Sequence, residues 1–563
     1  MQTTSELRFH KQVDQLMASL QGGTGCVVGV ARDDKVLLAR GYGLASVEHQ
    51  VPLTARSVLR IASVSKQFTV LAALLLAREG RLDLQADMRE LLPELPPLAQ
   101  VVRVEHLMRN TSGLPDFLEL FRLGGLGLDA RVDRATMLQC LLRNHHLSFA
   151  PGARFLYSNS NFLLLGLMVE RLSGQSLEDF LTTRVFKPLG MNQTSMVVAA
   201  DLPLPGLAAP YLVDGTGAVR RALHGFEHGG EGGLVSSVED LLVWGDERQQ
   251  ARHLPAEVLQ QLTDPTLLNR GAPSNYARGM ERGEWAGMPC IGHGGLWPGY
   301  RTEFLQLPQA ELTVVVISNN SLANPYRLAR EIALAALDDG RRMPASTNTS
   351  AETAGLVPVA IEALVGTWLN TELPALFTLS TQQGELQASQ WGVTFPLAEQ
   401  ANGSYLPWRG AYEFRLHALS ADAVDVDVGA NQRAPFQRLG IGASLPPDLV
   451  GSYRSDDLDV VWHVQAASTP PAPSTPGEPA ALQITVEGPI VRSQTAWPVR
   501  ALAPDLFEIS APGYGLTSTM LARVQRDAAG AVVGLEVFSG RIRKLRFTRV
   551  ADAPKVQTTH VQR

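Results

Sequence analysis

Residues 60–69 read RIASVSKQFT, and within this stretch Ser63 and Lys66 are three positions apart. The apolar run VLAALLLA follows at residues 70–77 and predicts a helix. Residues three apart lie on one face of a helix, so we expect Lys66 beside Ser63 at the helix start. A serine nucleophile needs a base within hydrogen-bond reach, and a desolvated lysine can act as that base. The stretch therefore predicts a nucleophile and its base in one helical turn.

Length, composition and charge restrict the class of protein. A chain of 563 residues exceeds one hydrophobic core, and about three domains are expected. The net charge of −6 argues against nucleic acid binding. The N-terminus has no apolar signal region, and no apolar run approaches the roughly 18 residues that a membrane span needs. We therefore expect a cytoplasmic protein that binds neither nucleic acid nor membrane.

The three cysteines, Cys26, Cys140 and Cys290, are widely spaced in a long chain. An odd number at this spacing fits neither a disulfide framework nor a zinc site. We expect buried thiols in a reducing compartment.

The first 340 residues open and close with strand patterns and are helical in the middle. An amphipathic helix is expected near residues 5–20. This order favours an α/β sandwich whose sheet unites both ends of the domain. The predicted strands are residues 26–31, 36–42, 302–307 and 312–318, and the predicted closing helix is 326–337.

The C-terminal part is rich in strand and turn patterns and contains an internal repeat. LVGTW at residues 364–368 resembles LVGSY at 449–453, and FQRL at 436–439 resembles FTRV at 547–550. Two copies of a small antiparallel barrel are expected. The expected boundaries are 1–342 for the first domain, 343–358 for a polar linker, and 359–442 and 443–563 for the two barrels.

Tyr157 and Asn159 lie in the sequence YSN, before a helix predicted to begin near Asn161. A loop tyrosine at this place can enter a cleft and pass protons to a leaving group. Asn159 offers both a donor and an acceptor to a substrate amide. The alternative is a turn with an Asx cap.

The sequence HGG at residues 293–295 lies where a strand is expected to begin. Two glycines, Gly294 and Gly295, allow a ligand to lie against the strand edge. The alternative is a structural His293. A second glycine-rich stretch, GGEGG at 229–233, is expected to be a flexible loop capped into a helix.

The ordered set S-x-x-K, Y-x-N and H-G-G resembles the penicillin-recognising serine hydrolases, in their class C β-lactamase-like branch. NTSGLP at residues 110–115 and GLVSS at 233–237 resemble further segments of that branch, and the resemblance covers about residues 10–340. It implies an α/β (α+β) catalytic domain of the β-lactamase and penicillin-binding-protein fold. The barrels that follow it are expected to be lipocalin-like.

The third motif distinguishes branches of this family. β-Lactamases and D,D-carboxypeptidases usually have a lysine there, but this chain has none between Lys187 and Lys544. His293 stands in its place, and a neutral imidazole anchors a carboxylate poorly. The sequence therefore argues against penicillin hydrolysis, although Arg301 is an alternative cation.

The HGG variant followed by two barrels is similar to the bacterial D-aminopeptidases, which release N-terminal D-residues from peptides, amides and esters. This resemblance implies that Ser63 attacks, Lys66 takes its proton and Tyr157 relays a proton to the leaving amine. Asn159, His293, Gly294 and Gly295 would line the site, and the backbone N–H groups of Ser63 and Leu296 would bind the oxyanion. No metal or organic cofactor is implied, the substrate is a small peptide, amide or ester, and a homodimer is compatible with the resemblance.

One segment departs from the D-aminopeptidase pattern. In those enzymes a loop of the last barrel offers an acidic residue to the substrate ammonium. The matching segment here, SAPGYGLTS at residues 510–518, contains no acid and could offer only the ring of Tyr514. Two alternatives stay open: an esterase or amidase without ammonium recognition, and a non-catalytic protein that retains the fold.

Overall fold

The first domain is built on a six-stranded antiparallel sheet that both ends of the domain form together. The strand Cys26–Arg32 pairs with Lys35–Tyr42 on one side and with Leu312–Ser318 on the other. Asp33 and Asp34, both at positive φ, make the predicted hairpin turn. The sheet order is Glu281–Trp285, Met288–Trp297, Tyr300–Leu307, Leu312–Ser318, Cys26–Arg32 and Lys35–Tyr42. The predicted sheet that unites both ends of the domain is therefore confirmed.

The computed structural model of the chain describes most of the sequence. The described residues are 4–20, 23–199, 201–214, 216–271, 273–337, 359–382, 384–390, 393–399, 403–407, 414–427, 433–440, 444–467, 482–489, 491, 496–512 and 517–550.

The sheet separates two hydrophobic layers, because successive strand residues point to opposite faces. Val28 and Val316 face a layer built by the helices Thr4–Leu16 and Pro325–Leu337. Val27 and Val315 face a larger, mainly helical layer. The helices of that larger layer are Lys66–Arg78, Met88–Leu91, Val104–Met108, Phe117–Leu123, Arg134–Leu142, Asn159–Ser173, Leu177–Leu181, Val238–Gln250 and Ala256–Gln261.

No helix in the described ranges is both long and apolar enough to cross a lipid bilayer.

The helix predicted after residue 60 begins slightly later than expected. A 3₁₀ turn, Ala62–Ser65, contains the serine, and the α-helix Lys66–Arg78 follows it directly. Ala62 has a φ of +48°, an unusual backbone conformation for a residue with a side chain. Such local strain persists only where the surroundings hold it, and here Ala62 is 4% exposed. The tight packing fixes the chain at the serine.

All three cysteines are buried free thiols, as predicted. Burial raises the pKa of Cys26 and Cys290 to about 11 and that of Cys140 to about 12. The thiolate form is therefore scarce at neutral pH, and the three side chains serve as small hydrophobic groups.

Two closed, eight-stranded antiparallel barrels follow the first domain, as predicted. The strands of the first barrel are Gly366–Asn370, Ala375–Gln382, Glu385–Gln390, Val393–Glu399, Ser404–Pro407, Arg415–Ala418, Ala423–Asp427 and Arg433–Arg438. The strands of the second barrel are Gly451–Ser455, Val460–Ala466, Leu482–Glu487, Trp497–Ala503, Leu506–Pro512, Thr517–Arg526, Val532–Phe538 and Leu545–Val550.

The internal repeat corresponds to a set of contacts that both barrels share. In the first strand of each barrel, Trp368 or Tyr453 is fully buried and donates a hydrogen bond to the carbonyl four residues earlier, at 3.0 and 2.6 Å. An arginine of the last strand lies over each ring, with Arg438 at 4.8 Å from the Trp368 ring and Arg549 at 5.8 Å from the Tyr453 ring. The repeated sequence therefore closes each barrel in the same way.

The second barrel packs directly against the helical layer of the first domain. The indole N–H of Trp462 donates to the carbonyl of Leu123 at 3.1 Å, and the Asn144 side chain donates to the carbonyl of Asp457 at 3.5 Å. Apolar residues of the barrel and of the helices belong to one continuous core. The first barrel contacts the second through a separate leucine-rich cluster that includes Leu369 and Leu506.

Candidate active site

Ser63 and Lys66 are adjacent, as their spacing predicts. Lys66 Nζ lies 3.0 Å from Ser63 Oγ and also contacts Asn159 Oδ1 at 2.9 Å and the carbonyl of Glu231 at 2.6 Å. The last two groups can only accept hydrogen bonds. A neutral amine has two N–H donors and one lone pair, so both donors are directed to Asn159 and Glu231. The lone pair is then left for the proton of Ser63.

The environment of Lys66 favours this neutral form. Burial lowers the pKa of Lys66 to about 7, against the attraction of Glu231 and Asp116 and with a contribution from the positive charge of Arg541. The side chain is 0% exposed, so a charged ammonium here lacks its water shell. A lysine with this pKa can accept a proton at neutral pH.

Asn159 connects the site to a buried carboxylate. The helix predicted near Asn161 begins at Asn159 itself. Its backbone N–H and its side-chain amide both donate to Asp116 Oδ2, at 2.7 and 2.8 Å. Because a carboxylate only accepts, the amide nitrogen must face Asp116 and the amide oxygen must face Lys66. Asp116 is a site residue that sequence reasoning missed, and its position after the NTSGLP segment was the available signal.

Two basic side chains lie close to the ring of Tyr157. Lys66 Nζ and the guanidinium carbon of Arg541 are each 4.9 Å from the centre of its ring. Burial raises the pKa of the Tyr157 hydroxyl, while Arg541 and the Ser63 hydroxyl act in the opposite direction. The phenol therefore stays protonated at neutral pH and can donate to a leaving group that withdraws from Ser63.

The HGG segment lies within the strand Met288–Trp297, so the prediction that a strand begins at His293 was wrong. A Cβ on Gly295 would meet the carbonyl oxygen of Ile61 at 2.3 Å. Only glycine allows the strand to approach the turn before Ser63 so closely. Leu296, the next residue, has an exposed side chain and pairs with Arg301 in the ladder. The close approach brings the end of this strand beside the turn that contains Ser63.

His293 is a buried neutral imidazole. Burial and the charge of Lys66 lower its pKa to about 3. Its Nδ1 lies 2.6 Å from the carbonyl oxygen of Gly294 and therefore carries the proton. Its Nε2 then accepts from the hydroxyl of Tyr276 at 3.2 Å. Tyr276, which sequence reasoning also missed, has an edge-to-face contact with Tyr157 at 6.0 Å, and no motif marks it.

The glycine-rich stretch 229–233 is a buried part of the site, and the prediction of a flexible loop was wrong. A Cβ on Gly230 would meet the Phe162 carbonyl and Thr69, each at 2.6 Å, so the loop packs against the nucleophile helix. The Glu231 carbonyl receives the hydrogen bond from Lys66. Burial would raise the pKa of the Glu231 carboxyl, but hydrogen bonds from His228 and Gly229 outweigh it and hold that pKa below its usual value. The predicted cap is present, since Ser237 accepts from the N–H of Asp240.

Arg301 was the alternative cation expected from the sequence, and Tyr514 was the expected substrate contact. The Arg301 guanidinium donates to the carbonyls of Trp297 and Tyr300, at 3.1 and 2.8 Å, and so supports the hairpin turn. Tyr514, the proposed substrate contact of the 510–518 segment, lies outside the described residues.

Residues 9–338 match the family described as Beta-lactamase, and the chain belongs to this family. The family resemblance inferred from the three motifs is therefore confirmed.

Two curated relatives are both D-aminopeptidases. The relative from Gluconobacter oxydans is 29% identical over 313 residues, which are 56% of this chain and 59% of the relative. The relative from Brucella canis is 25% identical over 539 residues, which are 94% of this chain and 96% of the relative. The second similarity includes both barrels as well as the first domain.

Solved structures show the same fold. The octameric penicillin-binding protein homologue from Pyrococcus abyssi superposes with a TM-score of 0.54 at 21% identity, over 76% of this chain and 99% of that protein. The D-amino acid amidase from Ochrobactrum anthropi SV3, complexed with L-phenylalanine, gives a TM-score of 0.51 at 20% identity, over 60% of this chain and 99% of the amidase.

Proposed function

We propose that this chain is a serine hydrolase of D-aminopeptidase type, which releases N-terminal D-residues from short peptides, amides or esters. The observation that carries the proposal is the 3.0 Å contact between Ser63 Oγ and Lys66 Nζ. Burial keeps the pKa of that lysine near 7, so it is a base at working pH. Similarity to the Brucella D-aminopeptidase along nearly the whole chain supports the substrate class.

The reaction begins when Ser63 Oγ attacks the scissile carbonyl and its proton passes to the Lys66 lone pair. The tetrahedral oxyanion is bound by the backbone N–H groups of Ser63 and Leu296. Collapse breaks the bond to the leaving amine, which receives a proton from the Tyr157 hydroxyl. Tyr157 is reprotonated from Lys66, and water then attacks the acyl-enzyme by the same proton path in reverse. Asn159 and the neutral His293 position these groups.

The experiment compares D- and L-alanine p-nitroanilide, a short p-nitrophenyl ester and a chromogenic cephalosporin. The proposal expects the D-anilide to exceed the L-anilide in kcat/KM. A fluorophosphonate should also label Ser63, and peptide mass spectrometry would identify the labelled residue. Ser63→Ala should lose hydrolysis by about 10³-fold or more while its circular dichroism stays unchanged. A near-normal turnover of an activated ester by this variant would place the nucleophile elsewhere.

A second candidate is an esterase or amidase of the same fold that does not recognise an ammonium. The absence of any acid from residues 510–518 favours it. N-acetylation of the D-alanine anilide discriminates between the two, since an aminopeptidase loses this substrate and an amidase keeps it. A cytoplasmic location and a homodimer stay predictions, which cell fractionation and sedimentation would test.

A further inference from the structure

A loop of the second barrel reaches the active site of the first domain. This loop, residues 539–544, lies between the last two strands of the barrel. The carbonyl of Arg541 accepts from the backbone N–H of Asp116 at 3.5 Å, and the N–H of Arg543 donates to Ser148 Oγ at 3.3 Å. These contacts hold the loop against the segment that carries Tyr157.

The contacts of the loop place one cationic group at the reacting centre. The guanidinium carbon of Arg541 lies 4.9 Å from the Tyr157 ring centre, as does Lys66 Nζ, so the two basic groups are no more than about 10 Å apart. The Arg541 side chain is 39% exposed, whereas Lys66 is fully buried. Arg541 is therefore the cation beside Tyr157 that a substrate group can approach from solvent.

Two acidic side chains beside Arg541, Asp116 and Glu119, are held by other donors as well. Asp116 Oδ2 receives two short hydrogen bonds from Asn159, and its 3.5 Å separation from Arg541 is longer than a strong ion pair. Glu119 accepts from Arg122 at 2.8 Å within the same helix. Arg541 therefore shares Asp116 with Asn159, and the exposed part of its side chain is what a further anion can contact.

The chemistry of the Arg541 side chain fits an anionic ligand. A guanidinium group binds carboxylates through paired, directional hydrogen bonds.

We propose that Arg541 is a specificity-determining residue that binds the carboxylate of the leaving residue. The preferred substrates are then short peptides whose leaving residue has a free α-carboxylate, such as dipeptides with an N-terminal D-residue. The proposal rests on the proposed function, because the proton-donating role of Tyr157 defines the leaving-group side of the cleft. The second barrel thus supplies a carboxylate anchor from outside the domain that contains Ser63.

The test compares D-alanyl-glycine with D-alanyl-glycinamide, which differ only in the leaving-group carboxylate. Wild-type enzyme should favour the free acid in kcat/KM, and Arg541→Gln should reduce this preference about tenfold or more. Arg541→Lys should retain part of it. Arg546→Gln, which removes an exposed arginine from the strand that follows the loop, is the matched control and should keep the wild-type ratio. Loss of Arg541 also removes a positive charge that helps to lower the pKa of Lys66. That effect is common to both substrates and cancels in the ratio of their kcat/KM values.

A second pair, 3-acetoxybenzoate and 3-acetoxybenzamide, makes the test independent of the D-aminoacyl group. If neither dipeptide is hydrolysed but the ester pair is, the proposed function is wrong, and the ester ratio still decides the role of Arg541. Stoichiometric fluorophosphonate labelling shows that each variant is folded with an intact nucleophile. An unchanged acid-to-amide ratio in labelled Arg541→Gln, for every pair that is hydrolysed, would overturn the proposal.

Discussion

Lys66 Nζ is held 2.9 Å from the side-chain oxygen of Asn159, which Asp116 orients from the other side. The carboxylate accepts from the amide nitrogen and so leaves only the amide oxygen to face the lysine. The donor directions of Lys66 are therefore set by a residue that does not touch it. The contacts form a chain from the Asp116 carboxylate through the Asn159 amide and the Lys66 amine to the Ser63 hydroxyl.

Asp116→Ala should disturb this chain of contacts. Without the carboxylate the side-chain nitrogen of Asn159 loses its acceptor, and rotation of that amide would remove the acceptor from Lys66. We expect kcat/KM on an activated ester to fall about 10- to 100-fold, because small misplacements at a reacting centre have large effects on rate.

Asp133→Ala is the control, because both aspartates cap a helix. Asp116 accepts from the N–H of Glu119 and Asp133 accepts from the N–H of Thr136, which is not a residue of the site. Equal losses in both variants would contradict the positioning role.

The pH dependence of hydrolysis should report the titration of Lys66. The base must be unprotonated, so kcat/KM should rise through a pKa of about 7 and then level off. Lys66→Arg should be almost inactive at every pH, because guanidinium stays protonated in this range. The measurement is a pH profile with an ester that does not itself titrate. An active Lys66→Arg enzyme would exclude the role of base.

Stability should depend on pH through the same residue. Lys66 titrates near 7 in the folded chain and near 10.5 when unfolded, so between these values the unfolded state binds the extra proton. Raising the pH through this window therefore stabilises wild type relative to Lys66→Met, by about 2 to 3 kcal/mol for two pH units. Urea unfolding at pH 7.5 and 9.5 measures the change in the difference between the two proteins. A difference that is independent of pH would show that the lysine is charged in the folded protein.

Cephalosporin turnover should be slow. The imidazole of His293 is neutral at working pH and is occupied by Tyr276 and the Gly294 carbonyl, so the third motif is a poor anchor for the cephalosporin carboxylate. The proposed anchor Arg541 lies on a different domain and does not replace a cation in this strand. We expect kcat/KM for a chromogenic cephalosporin about 100-fold or more below the best ester, although the drug can still acylate Ser63. Comparable values for the two substrates would contradict this prediction.

The second barrel should share its unfolding with the first domain. Trp462→Phe removes the hydrogen bond to the Leu123 carbonyl and leaves that buried oxygen without this donor, at a cost of about 1 to 3 kcal/mol. Thermal inactivation of esterase activity should therefore begin at a lower temperature. Trp368→Phe makes the same change inside the first barrel, which has its own core, and should leave the inactivation temperature nearly unchanged. Equal shifts would mean that all three domains unfold together.

Local patterns predicted those parts of the site that depend on near neighbours in the chain. Ser63 and Lys66 are one turn apart, and short apolar runs predicted the strands that the two ends of the domain contribute to the sheet. Tyr276 and Glu231 were missed because their roles depend on contacts with distant segments, and neither has a local signature. The glycines around Glu231 indicated flexibility, whereas in the structure they permit close packing against the nucleophile helix.

The sequence by itself determined the pairing of Ser63 with Lys66, the family and the two repeated barrels, because these follow from spacing, order and internal repetition within short segments. Only the tertiary structure brought residues 539–544 of the second barrel to the candidate active site. Arg541 and Asp116 are 425 positions apart, and no pattern along the chain relates them. They meet because the barrel buries apolar side chains, Trp462 among them, against the helical layer, and that shared core fixes the loop beside Tyr157.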